Sequence, residues 1–220
     1  MTVLDFYLVR HGHSWGQAGI DGVPMHRVPM AQRPPGCETG LLEDDWRLTP
    51  LGRRQAALLG ESLAQTPFDL IFHSPLERAR ATAQAVLERQ PGPVPMFVPR
   101  DLMEIGDWGE ETPEELHLRA QRVVTVIRER SQEGARVLVA AHAAFNNRLL
   151  MALLGLPAPE HLFRFGQDNT GLTRIIFSGE DVPGVPGRKQ VRLYCMNDLS
   201  HLPAELRAET IDGNMKGLYP

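Results

Sequence analysis

Val137-Leu-Val-Ala-Ala141 constrains the fold more than any other stretch of the chain. An unbroken apolar run that short, following a helical pattern that stops at Gly134 and ending on His142, predicts a strand buried within a sheet. Two relatives precede it. Leu4 to Val9 is mostly apolar and ends at Arg10-His11-Gly12, and Asp69-Leu-Ile-Phe-His73 reads as a second buried strand. Val94 to Val98 predicts a third, short and near an edge.

Helical patterns fill the spaces between these runs. Thr49-Pro50 supplies an N-cap and an N1 proline, and Leu51, Gln55, Leu58, Leu59 and Leu63 carry a helix to about Gln65. Ser74-Pro75 predicts the cap of a helix over Leu76 to Glu88, stopped by Pro91-Gly-Pro93. Thr112-Pro113-Glu114-Glu115 is a capping box whose helix runs to about Gln132 and buries Leu116, Ala120, Val123, Val124 and Ile127. Another spans Phe145 to Leu154, closed by Gly155 and Pro157. Leu172 to Phe177 and Gln190 to Cys195 predict two strands around a Gly/Pro-rich turn. The tail after Met196 is irregular, with one short helical turn near Ala204 to Ala208. Strands alternating with helices predict a three-layer α/β/α sandwich with a mainly parallel sheet, the last two strands adding an antiparallel edge. Residues 1–220 are expected to form one domain. Ala18 to Trp46 lacks periodicity and is punctuated by Pro24, Pro29, Pro34 and Pro35, and so long a connection is usually functional or mobile.

Composition limits the partners. With 23 Lys+Arg against 27 Asp+Glu the net charge is −4, so no basic field recruits nucleic acid or an anionic membrane. Any anion must be held by a local cluster of cations. Cys37 and Cys195 lie far apart and no C-x-x-C pair exists, which argues against a disulfide framework or a cysteine zinc site. The N-terminus lacks a basic n-region and Asp5 interrupts its apolar stretch, unlike a signal peptide. No run approaches 18 apolar residues, so none is expected to span a membrane, and the cytoplasm is the expected location.

Polar groups stand at three comparable places. Arg10 and His11 follow the first strand, Ser74 and Arg78 the second, and His142 the strand ending at Ala141. Ligands of open α/β sheets bind beyond the carboxyl ends of the strands, so these side chains are expected to converge. Two arginines and two histidines make a cationic pocket on an acidic protein. Arginine's planar fork suits phosphate, and helix N-termini after Ser74 and His142 would add N–H donors. The expected partner is a small phosphorylated substrate.

Leu8-Val-Arg-His-Gly12 resembles the R-H-G signature of the histidine phosphatase superfamily, the phosphoglycerate mutase-like fold. Further matches follow in family order. They are Leu48-Thr-Pro-Leu-Gly52 with Gln55-Ala56, Ser74-Pro-Leu-Glu-Arg78-Ala79 with Thr82-Ala83, Leu102-Met-Glu104-Ile-Gly106 with Trp108-Gly109, Val139-Ala-Ala-His142, and Asn169-Thr-Gly-Leu-Thr173. The matches cover about residues 4 to 178. The resemblance implies that His11 is a nucleophile forming a phosphohistidine, that Arg10, Arg78 and His142 hold the equatorial oxygens, and that Glu104 is the proton donor. It implies no metal and no cofactor. The chain departs from the family pattern at His13, where Glu or Gln is usual, at Gln17, where Asn commonly contacts phosphate, and at Ala143-Ala144, where Gly-Gly is usual.

Other readings stay open beside these. His26, His73, His117, His161 and His201 read as structural histidines. His11-x-His13 has the look of a metal pair, but it needs a third ligand and the nearby arginines repel a cation. Glu43-Asp-Asp45 reads as a surface charge run and Arg53-Arg54 as solvated. Trp15 and Trp46 suit core packing or substrate stacking equally. Hydrolysis of a phosphomonoester is favoured over mutase chemistry, because the mutases this fold resembles carry a longer insertion between the Glu104 and His142 segments. A phosphate-binding module without turnover is the reading from a different class. The substrate's identity and the oligomeric state, a homodimer included, are left open.

Overall fold

The computed structural model describes residues 3–20, 23–24, 28–32, 46–105, 110–158 and 165–210. The chain begins with β1 (Leu4–Arg10) and two-residue strands β2 (Gly19–Ile20) and β3 (Val23–Pro24), which pair antiparallel. There follow α1 (Pro50–Ser62), β4 (Leu70–His73), α2 (Glu77–Leu87), β5 (Met96–Phe97), α3 (Pro113–Arg130), β6 (Ala135–Ala141) and α4 (Ala143–Leu153). A hairpin of β7 (Leu172–Val182) and β8 (Val185–Asp198) leads to α5 (Ala204–Thr210). The main sheet has the order β5-β4-β6-β1-β7-β8. Its first four strands run parallel, while β7 is antiparallel to β1 and β8 to β7. The mainly parallel sheet with an antiparallel edge is therefore as the sequence predicts.

Because β6 is apolar on both sides, both faces of the sheet must be covered. On one face Leu59, Leu63, Ala83 and Val86 from the α1 and α2 side meet Tyr7, Val9, Ile71, Leu138 and Ala140. On the other, Ala120, Val123 and Ile127 of α3 and Phe145 and Leu149 of α4 cover Leu4, Phe6, Leu8, Phe72, Val137 and Val139. Alternate residues of each strand go to opposite layers, as the period of two requires. The three layers are those expected.

Local signals act as read, with informative exceptions. The Thr49 hydroxyl accepts from Gly52 N at 3.1 Å ahead of Pro50, and Thr112 with Glu115 forms the reciprocal capping box of α3. Leu76, not Ser74, is the N-cap of α2; the Ser74 hydroxyl accepts from Leu76 N at 3.3 Å just ahead of the helix and also lies 2.8 Å from His142 Nε2. α4 begins directly after His142, two residues earlier than its apolar pattern indicates. The β7–β8 hairpin is longer than its apolar segments, because the backbone pairing continues through polar residues to a turn with Gly184 at φ 78°.

Register sets the site. All seven residues of β1 pair with all seven of β6, from Leu4 with Ala135 to Arg10 with Ala141. His11 N then donates to Ala141 O at 3.0 Å and Ser74 N to Ala140 O at 3.0 Å. Three strand ends thus stop level with one another, and the residues that follow each are brought side by side. Among the described residues no helix is long and apolar enough to cross a membrane.

Candidate active site

The backbone just past β1 is clamped from three sides. Gly12 N donates to Thr82 Oγ1 of α2 at 3.0 Å, and His13 N to Gln55 Oε1 of α1 at 2.8 Å. Thr49 N donates to His13 O at 3.0 Å. Two motif glycines make this fit possible: a Cβ on Gly12 would stand 2.5 Å from Gly52 O, and one on Gly52 would strike the His13 backbone. On the far side, Arg10 Nη1 donates to Gln167 O at 2.7 Å, Thr170 N to Arg10 O at 3.1 Å, and Asn169 Nδ2 to His11 O at 2.9 Å. Thr170 adopts φ 58°, an uncommon state for a β-branched residue, and its hydroxyl lies 3.0 Å from His201 Nε2.

His11 is buried, with Nδ1 2.8 Å from the Gly12 carbonyl. A carbonyl only accepts, so Nδ1 carries the hydrogen and Nε2 keeps its lone pair. The His142 ring lies 5.2 Å away, centroid to centroid, and is fully buried. Its Nε2 meets the Ser74 hydroxyl, and its buried Nδ1 has no hydrogen-bond partner among the described residues. Burial, and then the positive charge of Arg78, holds both imidazoles well below their usual pKa, with Arg10 adding to this at both rings. Arg78 is buried on the first turn of α2. The four core residues predicted from sequence therefore meet at the carboxyl end of the sheet.

Glu104 reaches the same place from the loop before α3. Its carboxylate accepts from Ile105 N at 2.9 Å, Phe145 N at 2.9 Å and Ala144 N at 3.3 Å. Burial pushes its pKa up, while those amides and Arg78 pull it down, leaving it above the usual value. Two N–H groups of α4 that the sequence reading offered to a phosphate hold this carboxylate instead.

The remaining predicted residues are placed differently. Gln17 does reach the site's edge, but through Asn169: Gln17 Nε2 donates to Asn169 Oδ1 at 3.2 Å, and Asn169 Nδ2 to Gln17 Oε1 at 3.0 Å. His13 Nδ1 lies 2.9 Å from Thr49 Oγ1. Trp46 is buried with Val28, with Trp15 and Ala18 packed against them, which is core packing. His73 Nδ1 donates to Ser74 O at 2.8 Å, and His201 is depressed to about 4 by burial. Cys37, His26, His161, Glu43 to Asp45, and Gly106, Trp108 and Gly109 lie outside the described residues. Sequence reasoning missed Ser74 as a partner of His142, having used it as a cap. It also missed Asn169 and Gln167 as the cradle of Arg10-His11, although Asn169 opens one of the motifs it noticed.

Likeness to known proteins identifies the family and the fold. The sequence profile of the histidine phosphatase superfamily (branch 1) matches residues 41–117 and 104–183. The chain is 30% identical over 191 residues to the adenosylcobalamin/alpha-ribazole phosphatase of Escherichia coli (strain K12), an alignment covering 74% of this chain and 84% of that one. Among solved structures, Mycobacterial hydrolase 2 superposes with a TM-score of 0.66 at 22% identity, covering 96% of this chain and 99% of the other. The phosphoserine phosphatase of Entamoeba histolytica, solved with phosphoserine, gives 0.61 at 21% identity, covering 91% and 100%. These two likenesses show the phosphoglycerate mutase-like fold. By sequence profile, by its E. coli relative and by its fold, this chain belongs to the histidine phosphatase superfamily.

Proposed function

We propose that the protein is a phosphomonoesterase that works through a phosphohistidine on His11. The observation that carries this reading is the fixed tautomer of His11, whose Nδ1–H is spent on the Gly12 carbonyl so that Nε2 keeps its lone pair for phosphorus. In the first step Nε2 forms a P–N bond as the bond to the leaving oxygen breaks, and Glu104 gives that oxygen its proton. The raised pKa of Glu104 suits a group that must begin protonated. In the second step Glu104 takes a proton from water, which attacks phosphorus, breaks the P–N bond and frees inorganic phosphate. Arg10, Arg78 and His142 hold the equatorial oxygens, with the unpartnered His142 Nδ1 as one donor once Ser74 supplies its own hydrogen to Nε2. Gln17 offers the second hydrogen of its amide. The arginines supply the charge that a metal would otherwise bring, so EDTA is expected to leave the rate unchanged.

The test is rapid quenching with a substrate labelled on phosphorus. A protein-bound, acid-labile and base-stable phosphoryl group should form within one turnover and be absent from His11→Ala. That variant should retain less than about a thousandth of the activity. Greater retention, or a parent enzyme that turns over without any trapped phosphoryl group, refutes the assignment. Recovery of an isomerised ester in place of free phosphate would identify a mutase.

A further inference from the structure

Glu104 sits on a loop, yet a proton donor loses its value if it wanders by an ångström. What holds it comes from α3. Arg119 is fully buried. Its Nη1 donates to Asp101 O and to Met103 O, both at 2.8 Å, just before Glu104. Its Nε and Nη2 form a bidentate pair with the carboxylate of Glu111, beyond Glu104. Its guanidinium lies 4.4 Å above the ring of Phe145, the residue whose N–H holds the Glu104 carboxylate. One side chain thus touches the backbone before the proton donor, the segment after it and the helix turn beneath it.

Burying a guanidinium is costly, and an apolar residue of similar size usually stabilises a core as well or better. Only arginine, however, presents donors in a rigid fork able to join two carbonyls and a carboxylate at once. We propose that Arg119 is a positioning residue for the proton donor, fixing the Glu104 carboxyl against the leaving-group oxygen. The inference rests on the reading of Glu104 as general acid.

Arg119→Lys keeps the charge, which also acts on His142, and removes only the fork. Phosphorylation of His11 would be measured in single turnovers with an alkyl phosphate and with p-nitrophenyl phosphate, whose leaving group needs no proton. Parent, Arg119→Lys, Glu104→Gln and the double variant would be compared. The expected result is a loss of about 10–100-fold on the alkyl ester for Arg119→Lys, under about threefold on the nitrophenyl ester, and no further loss on adding it to Glu104→Gln. Equal slowing of both esters, full multiplication of the two losses, or unchanged kinetics overturns the proposal while leaving Glu104 in its role. If Glu104→Gln itself slows both esters equally, the acid assignment falls and takes this inference with it. Should Arg119→Lys fail to fold, Glu111→Gln weakens the same grip and must show the same ester preference, and an equal effect on both esters would again overturn the inference.

Discussion

The two halves of the site are built in different ways. The nucleophile half, Arg10 to His13, is a continuation of β1, held by backbone register with β6 and by main-chain bonds to Thr82, Gln55, Thr170 and Asn169. The proton-donor half is a loop, held by a buried side chain and by the N–H groups of α4. A half fixed through main chain fails when the chain cannot pass, whereas a half fixed through a side chain loosens and stays folded. The kinetic signatures should differ accordingly. Damage to the first should slow every ester, and damage to the second should be felt mainly where the leaving oxygen needs a proton.

Gly52→Ala should break the first half most severely. The new methyl group meets the His13 backbone, which cannot swing aside as a flexible side chain would. Overpacking of this kind costs about 1–3 kcal/mol, and a displaced His11 should lose at least about 100-fold in rate. Urea denaturation and single-turnover rates on both esters check this. Equal losses on the two esters are expected, and a near-parental rate on p-nitrophenyl phosphate would show that the glycine contact does not position the nucleophile.

The same contrast explains what could be read from the sequence. β1, β4, β6 and the helices between them were legible because burial on both faces writes itself as apolar runs, and helix starts as Thr-Pro. Convergence of Arg10, His11, Arg78 and His142 followed, since parallel strands that begin together end together. The supporting contacts were less visible. Nothing local marks Gln167 as the acceptor for Arg10, or Arg119 as the clamp on Glu104, because both contacts join distant segments through single side chains. Ser74 shows a related limit of local signals: its hydroxyl does accept from Leu76 N at the start of α2, but only the tertiary structure shows that it also meets His142.

The two buried histidines and the proton donor should also answer acid with opposite signs. Burial and the neighbouring Arg78 hold His11 and His142 well below the ordinary imidazole pKa of 6.5. Their unfolded counterparts take up protons near pH 6.5, so stability present above that pH is lost as the pH falls, at about 1.4 kcal/mol per unit per ring. Glu104 is raised, so in the window above its ordinary 4.5 the folded form holds a proton that the unfolded form releases. Its contribution to stability grows more favourable as the pH falls. Relative to the parent, His142→Gln should flatten the loss of stability between pH 7 and 5, and Glu104→Gln should steepen it. Unfolding midpoints in urea across that range decide the point, and three parallel curves would show that neither His142 nor Glu104 titrates in this way.

The smallest effect is expected at His13, although it stands two residues from the nucleophile. A protonated ring there would add positive charge near the phosphate, and affinity would then rise as its proton goes on. The structure gives the ring another task. Its Nδ1 meets Thr49 Oγ1 at 2.9 Å, and that same oxygen caps α1 through Gly52 N. His13 thereby ties the loop after β1 to the helix start whose glycine it touches, which is work for a hydrogen-bonding group. His13→Gln keeps such a group within reach of Thr49. It should cost no more than about 0.5–1.5 kcal/mol of stability and leave the shape of the kcat/KM profile against pH unchanged. Loss of an acid-side rise in kcat/KM on this substitution would instead place His13 among the groups that hold the phosphate, and the nucleophile half would then owe part of its charge to a residue outside the strand ends.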